Sequence, residues 1–209
     1  MTRTTLPVHW GPPPPGPWTR LAHWIRGVSA TSAPAIATLP ELPAALRRSE
    51  LAAPYLESER AGNHRRAGAA AMAAAEAAIE SEAWWAADLW AHRAMWHFER
   101  GDLPLQATRA ARRIGDLRVA GGDPASARRY YAEAISEARD IGAEREEGLA
   151  AAGMGRAELD LGNVTASRRL AGIAVTLLER GSGAEGEIVA TRELQGDERS
   201  VSEPDGAGP

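Results

Sequence analysis

Histidine is the side chain in this sequence best suited to metal ligation or to acid–base chemistry near neutral pH. The five histidines are His9, His23, His64, His92 and His97. On a helix, His92 and His97 would point about 140° apart, so they would not share a face or a metal ion. Asp88 could contact His92, and Arg93 could contact His97, because each pair is one helical turn apart. We therefore expect surface or boundary histidines and no metal site.

Two residue types are missing from the chain, and their absence excludes several kinds of enzyme. There is no cysteine and no lysine, so all 24 basic residues are arginines. Without cysteine there can be no disulfide, thiolate zinc site or cysteine nucleophile. Without lysine there is no Schiff-base chemistry and no Walker-type phosphate loop. The remaining residues form no nucleophile–base–acid set, so we expect a protein that is not an enzyme and needs no cofactor.

A cluster of aromatic residues is the second feature that could carry a function. It comprises Trp84, Trp85, Trp90, Trp96 and Phe98. These rings cannot all lie on one apolar stripe, since neighbours such as Trp84 and Trp85 point about 100° apart on a helix. Two interpretations stay open. Either the rings pack against the preceding helix and the N-terminal segment, or one or two are exposed and anchor a partner, as Trp does at interface hot spots.

The charge and hydropathy of the chain limit its partners and its location. A net charge of −4 argues against a general nucleic-acid binder, which would normally be basic. The start of the chain lacks the apolar core of a secretory signal. No run of about eighteen apolar residues could span a membrane. We expect a cytoplasmic protein that binds neither nucleic acid nor membrane.

Composition divides the chain into three zones. Residues 1–40 form a Pro- and Trp-rich arm, in which 12–15 should be polyproline II and 18–26 could be a short helix. Residues 41–180 read as one helix after another and form the predicted folded domain. Residues 181–209 are rich in Gly and acids, so we expect a disordered tail. The stretch 187–195 could be a short helix within it.

Short breaks at regular intervals divide the middle zone into helices. They fall at 81–82, 101–102, 121–123, 141–142 and 161–163. Intervening segments of about 17 residues predict helices of nearly five turns. Asp123 should cap a helix that begins at Pro124, and Asp102 and Asn163 should cap likewise. The first stretch, 41–60, predicts a helix that Pro54 kinks or breaks.

The breaks recur with a period of forty residues, as between Gly122 and Gly162. Small residues keep the same register: Ala75, Gly115 and Gly155 in one set, and Ala94, Ala134 and Ala174 in the other. A period of this size is typical of stacked helical hairpins, each of which needs neighbours to bury its apolar face. The sequence therefore predicts an all-α fold, a short α-solenoid of about three hairpins with an N-terminal helix.

The middle of the chain resembles tetratricopeptide repeats. The best unit is 108–142, where the run 122–127 (Gly-Asp-Pro-Ala-Ser-Ala) precedes Tyr131 and Ala134, as the family's glycine turn precedes Ala, aromatic and Ala. The unit 148–180 keeps the turn but has Ser167 and Ala171, where a small residue and an aromatic are usual. The unit 68–99 lacks the turn glycine. The forty-residue period exceeds the family's usual thirty-four and is similar to that of long-repeat relatives in bacterial regulators.

The resemblance implies a concave groove lined by the first helix of each repeat. The family's groove positions correspond to Met72, Glu76, Ile79, Arg109, Arg112, Asp116, Ala152, Arg156 and Asp160. Three arginines would converge there with Arg113 nearby, which suits an acidic peptide or a C-terminal carboxylate. A solvated, salt-bridged face is the alternative. The predicted partner-binding residues are Arg109, Arg112, Asp116, Arg156, Asp160, Trp85, Trp90 and Trp96.

Together these features predict a non-enzymatic adaptor for protein–protein interaction, or an assembly factor for a larger complex. It would bind its partner through the repeat groove and the N-terminal arm. It could be a subunit of a multi-protein complex or a chaperone for one, and it could form homo-oligomers. The alternative is a regulatory or sensor module of a bacterial transcriptional or signalling system.

Overall fold

The computed structural model of the chain describes residues 41–180 and 185–196, and all regular structure within these ranges is helical. Two short helices come first, α1 (Ala44–Arg47) and α2 (Ala52–Arg60). Six helices of 17 residues each follow: α3 (His64–Glu80), α4 (Trp84–Arg100), α5 (Pro104–Ala120), α6 (Pro124–Asp140), α7 (Glu144–Asp160) and α8 (Val164–Arg180). The last described helix is α9 (Glu185–Gly196).

The six long helices form three stacked hairpins, α3–α4, α5–α6 and α7–α8. Each helix packs against the next one in the chain, and α5 also contacts α7, the first helix of the following hairpin. A helix of 17 residues plus a connection of three spans twenty residues, so two of them make the forty-residue period. The fold is therefore an all-α, solenoid-like stack of hairpins, as the sequence predicts.

The connections between the long helices coincide with the predicted breaks. In each, the middle of three residues has a positive φ: Glu82 (55°), Asp102 (51°), Gly122 (75°), Gly142 (68°) and Gly162 (81°). The backbone turns at this residue, and only glycine adopts such a φ without strain. The prediction that Asp102 caps α5 is wrong. Asp102 occupies the turn position, and Leu103 is the N-cap residue, with no side-chain capping bond.

Capping at other helix starts follows the sequence. Asp123 accepts a hydrogen bond at Oδ1 from the Ser126 amide (3.1 Å), and Pro124 is the first residue of α6, as predicted. Asn63 caps α3 in the same way, through the Arg66 amide (3.0 Å). Asn163, which was also expected to cap, donates from Nδ2 to Glu158 (2.6 Å). Asp123 and Asn63 thus each satisfy a backbone amide that the helix ladder leaves unpaired, whereas this bond of Asn163 goes to a side chain and does not cap α8.

Small residues line the interfaces within and between hairpins. Both predicted sets, Ala75, Gly115 and Gly155, and Ala94, Ala134 and Ala174, are buried. Their register places a small residue where the two helices of a hairpin approach closely. Large side chains from the partner helix then lie over the small ones, as Tyr131 lies over Gly115.

The stretch 41–60 is not one helix bent at Pro54. It forms α1 and α2 with a break at 48–51, and Pro54 lies in the first turn of α2, where a missing amide hydrogen costs little. Leu42 and Tyr55 from this region enter the core against the first hairpin. The segment therefore covers one end of the solenoid.

At the other end, α9 packs against α8 and α7. It contains the stretch 187–195 for which a short helix was expected, so this part of the predicted disordered tail is ordered. The expectations for the arm, including 12–15 and 18–26, fall outside the described residues. Among the helices that the structure does describe, none has the length and apolar character needed to cross a membrane.

Candidate partner-binding surface

A network of ion pairs connects the first helices of the three hairpins. Arg113 on α5 donates from Nε to Glu76 on α3 (2.7 Å). Arg109 on α5 donates from Nε to Glu146 on α7 (2.7 Å). Within α5, Arg112 pairs with Asp116 (2.9 Å). We call the surface formed by Glu76, Arg109, Arg112, Arg113, Asp116 and Glu146 the first-helix face.

The arginines of the first-helix face are already paired. The Glu146 side chain is 5% exposed and lies beneath Arg109, which is 52% exposed, so the arginine screens a buried carboxylate. The hydrogen bond from Arg113 to Glu76 raises the pKa of the Arg113 guanidinium further. The salt-bridged alternative therefore describes Arg109, Arg112 and Asp116. The Arg109–Glu146 pair joins helices of successive hairpins and so stabilises their stacking, whereas the Arg112–Asp116 pair joins neighbouring turns of α5.

Asp116 has a second bond that joins the two helices of its hairpin. The Tyr131 hydroxyl on α6 donates to its Oδ1 (2.8 Å). Tyr131 is buried, and burial, with Asp116 next, raises the pKa of its phenol. The phenol stays protonated and the bond persists across the physiological pH range. Asp116 is thus occupied on both oxygens by groups of the protein itself.

Arg156 and Asp160 differ from the other predicted groove residues. Both lie on α7 and are exposed, and no hydrogen bond or ion pair within the described residues engages either side chain. Leu159 between them is also exposed. A charged side chain of this kind can meet a partner without first breaking an internal bond. Arg156 and Asp160 are therefore the charged residues of the predicted site that remain accessible to a partner.

The predicted tryptophans fall into three environments. Trp85 is 39% exposed at the start of α4 and accessible to a partner. Trp96 is half-buried, with its ring edge-on to His97 (4.8 Å between centroids) and Arg100 over its face (5.2 Å). Trp90 is 1% exposed and packs edge-on against Tyr55 (5.1 Å). The prediction that Trp90 contacts a partner is wrong for the folded chain, because Tyr55 and the core cover the indole.

His92 is buried in a polar network between the first two hairpins, contrary to the expectation of a surface histidine. Its Nδ1 donates to the Asp88 carbonyl one turn earlier (2.7 Å), and its Nε2 accepts from the Tyr130 hydroxyl (3.0 Å). Asp88 in turn binds Arg118 of α5 (2.8 Å). Burial lowers the pKa of His92, so the imidazole is neutral and can act as donor on one side and acceptor on the other.

His97 is likewise buried, at 2% exposed, and belongs to a second network. It lies between His64 of α3 and Tyr55 of α2. Burial, with His64 and Arg93 nearby, lowers the pKa of His97 to about 4. Among the described residues, no group of three or more His, Asp or Glu side chains is placed to hold a metal ion. Both histidines therefore serve as neutral hydrogen-bonding groups within the core.

Sequence reasoning missed the partners that complete the network on the first-helix face. Glu76 and Arg113 are 37 residues apart, as are Arg109 and Glu146. Opposite charges separated by slightly less than the repeat period were a signal that could have identified both pairs. Comparison of the chain with protein-family models and with curated proteins finds no match.

Proposed function

We propose that the protein is a non-enzymatic adaptor or assembly factor that acts in the cytoplasm and binds another protein across the first helices of its hairpins. The resemblance to tetratricopeptide repeats supports this proposal, since helices in that register commonly present side chains to a partner. The solenoid-like stack supports it further, because such stacks offer extended binding surfaces. The partner we propose is a peptide segment that combines apolar and acidic side chains.

One observation carries the proposal: an aliphatic row on the first helices. Ile79, Val119 and Leu159 occupy the same register in the three units, next to the last residue of α3, α5 and α7. Ile79 and Val119 are half-buried and Leu159 is exposed. Because α5 contacts α7 and Arg113 of α5 binds Glu76 of α3, the first helices lie side by side, and the row suits a peptide that crosses them and places a side chain over each.

The charges at one end of the row favour an acidic residue in the partner. Arg156 and Asp160 flank Leu159, and the Arg156 side chain has no carboxylate partner within the described residues. A guanidinium beside an apolar contact binds a carboxylate through charge-assisted hydrogen bonds. The paired arginines of the first-helix face would keep their internal bonds on binding.

Site-specific photo-crosslinking in the native cell tests this proposal. A photoreactive residue at position 159 should yield one discrete adduct, whose partner is identified by mass spectrometry. The matched control is position 132 on α6, where Ala132 is also exposed but lies outside the row. Leu159→Asp should abolish capture by a photoreactive residue at position 119. Equal adducts from 119, 132 and 159, or none at any of them, would contradict a binding surface here.

The identity of the captured protein also separates the adaptor from the regulatory module. A subunit of a larger assembly is expected for an adaptor or assembly factor. A DNA-binding or signalling protein as the only adduct would favour the regulatory alternative and overturn our assignment, while leaving the surface itself supported.

A further inference from the structure

Helix α2 is anchored to the first hairpin by the hydroxyl of one tyrosine. Tyr55 is fully buried, and its Oη lies within hydrogen-bond distance of three side chains. It donates to Glu59 one turn along α2 (2.6 Å) and accepts from Arg93 Nη1 of α4 (2.8 Å). The third contact is His97 Nε2 (3.1 Å). One phenol therefore joins α2 to α4 through two different side chains.

The protons in this network can be assigned from the donor and acceptor count. The Tyr55 hydroxyl has one hydrogen, which it donates in the hydrogen bond to Glu59. Its oxygen must therefore accept hydrogen bonds from both Arg93 and His97. His97 therefore carries its proton on Nε2. In a neutral ring the other nitrogen, Nδ1, is then an acceptor. His64 Nδ1 lies 3.0 Å from it and must be the donor.

The contact between the two histidines can hold only one proton. If both rings carried a hydrogen on Nδ1, two donors would face each other at 3.0 Å, and His97, which also carries a proton on Nε2, would be a buried cation beside Arg93. Among the described residues, the charged and titratable groups that the structure places beside His97 are Glu59 and Tyr55 from α2, His64 from α3 and Arg93 from α4. Glu59 is the only acid among them, and it lies 4.0 Å from His97 and already serves Tyr55 and Arg93.

We propose that the His64–His97 pair is an acid-sensitive latch, which holds α2 on the first hairpin near neutral pH and releases it on acidification. The release is local, because α2 lies at one end of the described stack, packs against α3 and bonds to α4, whereas α5 to α8 are stabilised by their own neighbours. Release uncovers the ring of Trp90, which Tyr55 covers in the closed form.

The direction of the effect follows from linkage. Burial, His64 and Arg93 hold the pKa of His97 at about 4 while α2 is packed, against about 6.5 for a free imidazole. The released form therefore takes up a proton between about pH 6.5 and 4 that the packed form does not. The closed form is fully stable above that window and loses stability as pH falls through it. Between pH 7 and pH 5 the expected change in the closing equilibrium is about tenfold or more.

Hydrogen exchange of the full chain, read by mass spectrometry at pH 7 and pH 5 and corrected for intrinsic rates, tests the latch. We expect protection in peptides from Ala52–Arg60 to fall about tenfold at pH 5, with Glu144–Arg180 changing less than about twofold. In His64→Gln the amide can still donate to His97, but the neighbouring ring that lowers the pKa of His97 is gone, so the transition should move to lower pH. Tyr55→Phe should leave α2 weakly protected at both pH values.

His92→Gln is the control. His92 lies on α4, as His97 does, and is buried, but it belongs to the network with Tyr130 and Asp88. The substitution should leave the pH of the α2 transition where it is in the parent chain. Protection of α2 that is independent of pH would overturn the latch. So would protection lost in step with α7 and α8, or a transition that moves with His92→Gln and not with His64→Gln.

Discussion

The ring of Phe98 on α4 lies against the backbone of Gly68 on α3, so that a Cβ built on Gly68 would come within 2.5 Å of Cε1 and 2.7 Å of Cδ1. Alanine is the better helix former by about 1 kcal/mol, but here it would displace a buried ring at a cost of about 1–3 kcal/mol. We expect Gly68→Ala to lower the free energy of unfolding by up to about 2 kcal/mol, as measured by urea denaturation.

The control is Gly186→Ala, in α9, where no atom lies within 4 Å of an added Cβ. Only helix propensity changes at this site, so the variant should be unaffected or up to about 1 kcal/mol more stable. Equal gains from the two substitutions would show that Phe98 does not constrain Gly68.

Glu82 occupies the turn position that glycine holds in four other connections, at Gly62, Gly122, Gly142 and Gly162. Its φ of 55° is left-handed, as is that of Gly122 at 75°. A side chain costs about 1 kcal/mol or more in this conformation, and glycine loses somewhat more entropy on folding. Glu82→Gly should therefore stabilise the chain by about 0.5 kcal/mol, and Gly122→Glu should destabilise it by about 1 kcal/mol. Thermal denaturation of both variants checks the prediction, and two shifts of the same sign would contradict it.

Much of the fold was predictable because the turns and small residues repeat. A glycine such as Gly122 or Gly162 identifies a turn without any knowledge of tertiary contacts, because the positive φ that requires it is a local property of the backbone. Small residues such as Ala75 and Gly115 reveal a close approach because the period places them in equivalent positions. Both signals can be read from residue type and position along the chain, and the structure confirms the turns and the buried small residues that they predicted.

The surface was harder to predict, because its pairings depend on how helices are rotated. The sequence left open whether Arg109 and Arg112 meet a partner or form a salt-bridged face, and in the structure they bind Glu146 and Asp116. Trp90 is covered by Tyr55 of α2. This helix precedes the repeats, so the forty-residue period says nothing about its position. Sequence spacing identifies which residues share a helix face, but it does not say what lies opposite that face.

The buried pair of Asp88 and Arg118 should be sensitive to loss of either partner. The two side chains are nearly inaccessible and meet at 2.8 Å between α4 and α5. Asp88→Ala leaves a buried guanidinium without its carboxylate, so we expect a loss of about 3–5 kcal/mol by denaturant unfolding. Glu41→Ala, which removes an exposed partner of Arg47, should cost less than about 1 kcal/mol. Comparable losses from both variants would refute a special contribution of the buried pair.

Glu99 should make stability depend on pH in the opposite sense to His97. Partial desolvation of its carboxyl, with Glu133 and Glu137 nearby, raises its pKa to about 7 although the residue is exposed at its surface. Because the folded chain disfavours the ionised form, this stabilisation is complete below about pH 4 and is lost as pH rises through 7. Glu99→Gln should therefore gain on the order of 1 kcal/mol at pH 8, after allowance for solvent screening of a partly exposed residue, and nothing at pH 4. Denaturant unfolding at the two pH values measures the difference. A gain of equal size at both would exclude ionisation as the cause.

Alanine variants of Arg109 and Arg156 should show which arginines of the first helices stabilise the fold and which bind the proposed partner. Arg109→Ala strips the nearly buried Glu146 of its closest partner and should cost on the order of 2 kcal/mol in unfolding free energy. Arg156 is exposed, and Arg156→Ala should change stability by less than about 0.5 kcal/mol. If the proposed partner carries a carboxylate, Arg156→Ala should instead weaken its binding about tenfold, measured by calorimetry with the captured segment. A binding loss for Arg109→Ala larger than that for Arg156→Ala would mean that the partner displaces the internal ion pairs, contrary to our assignment of the first-helix face.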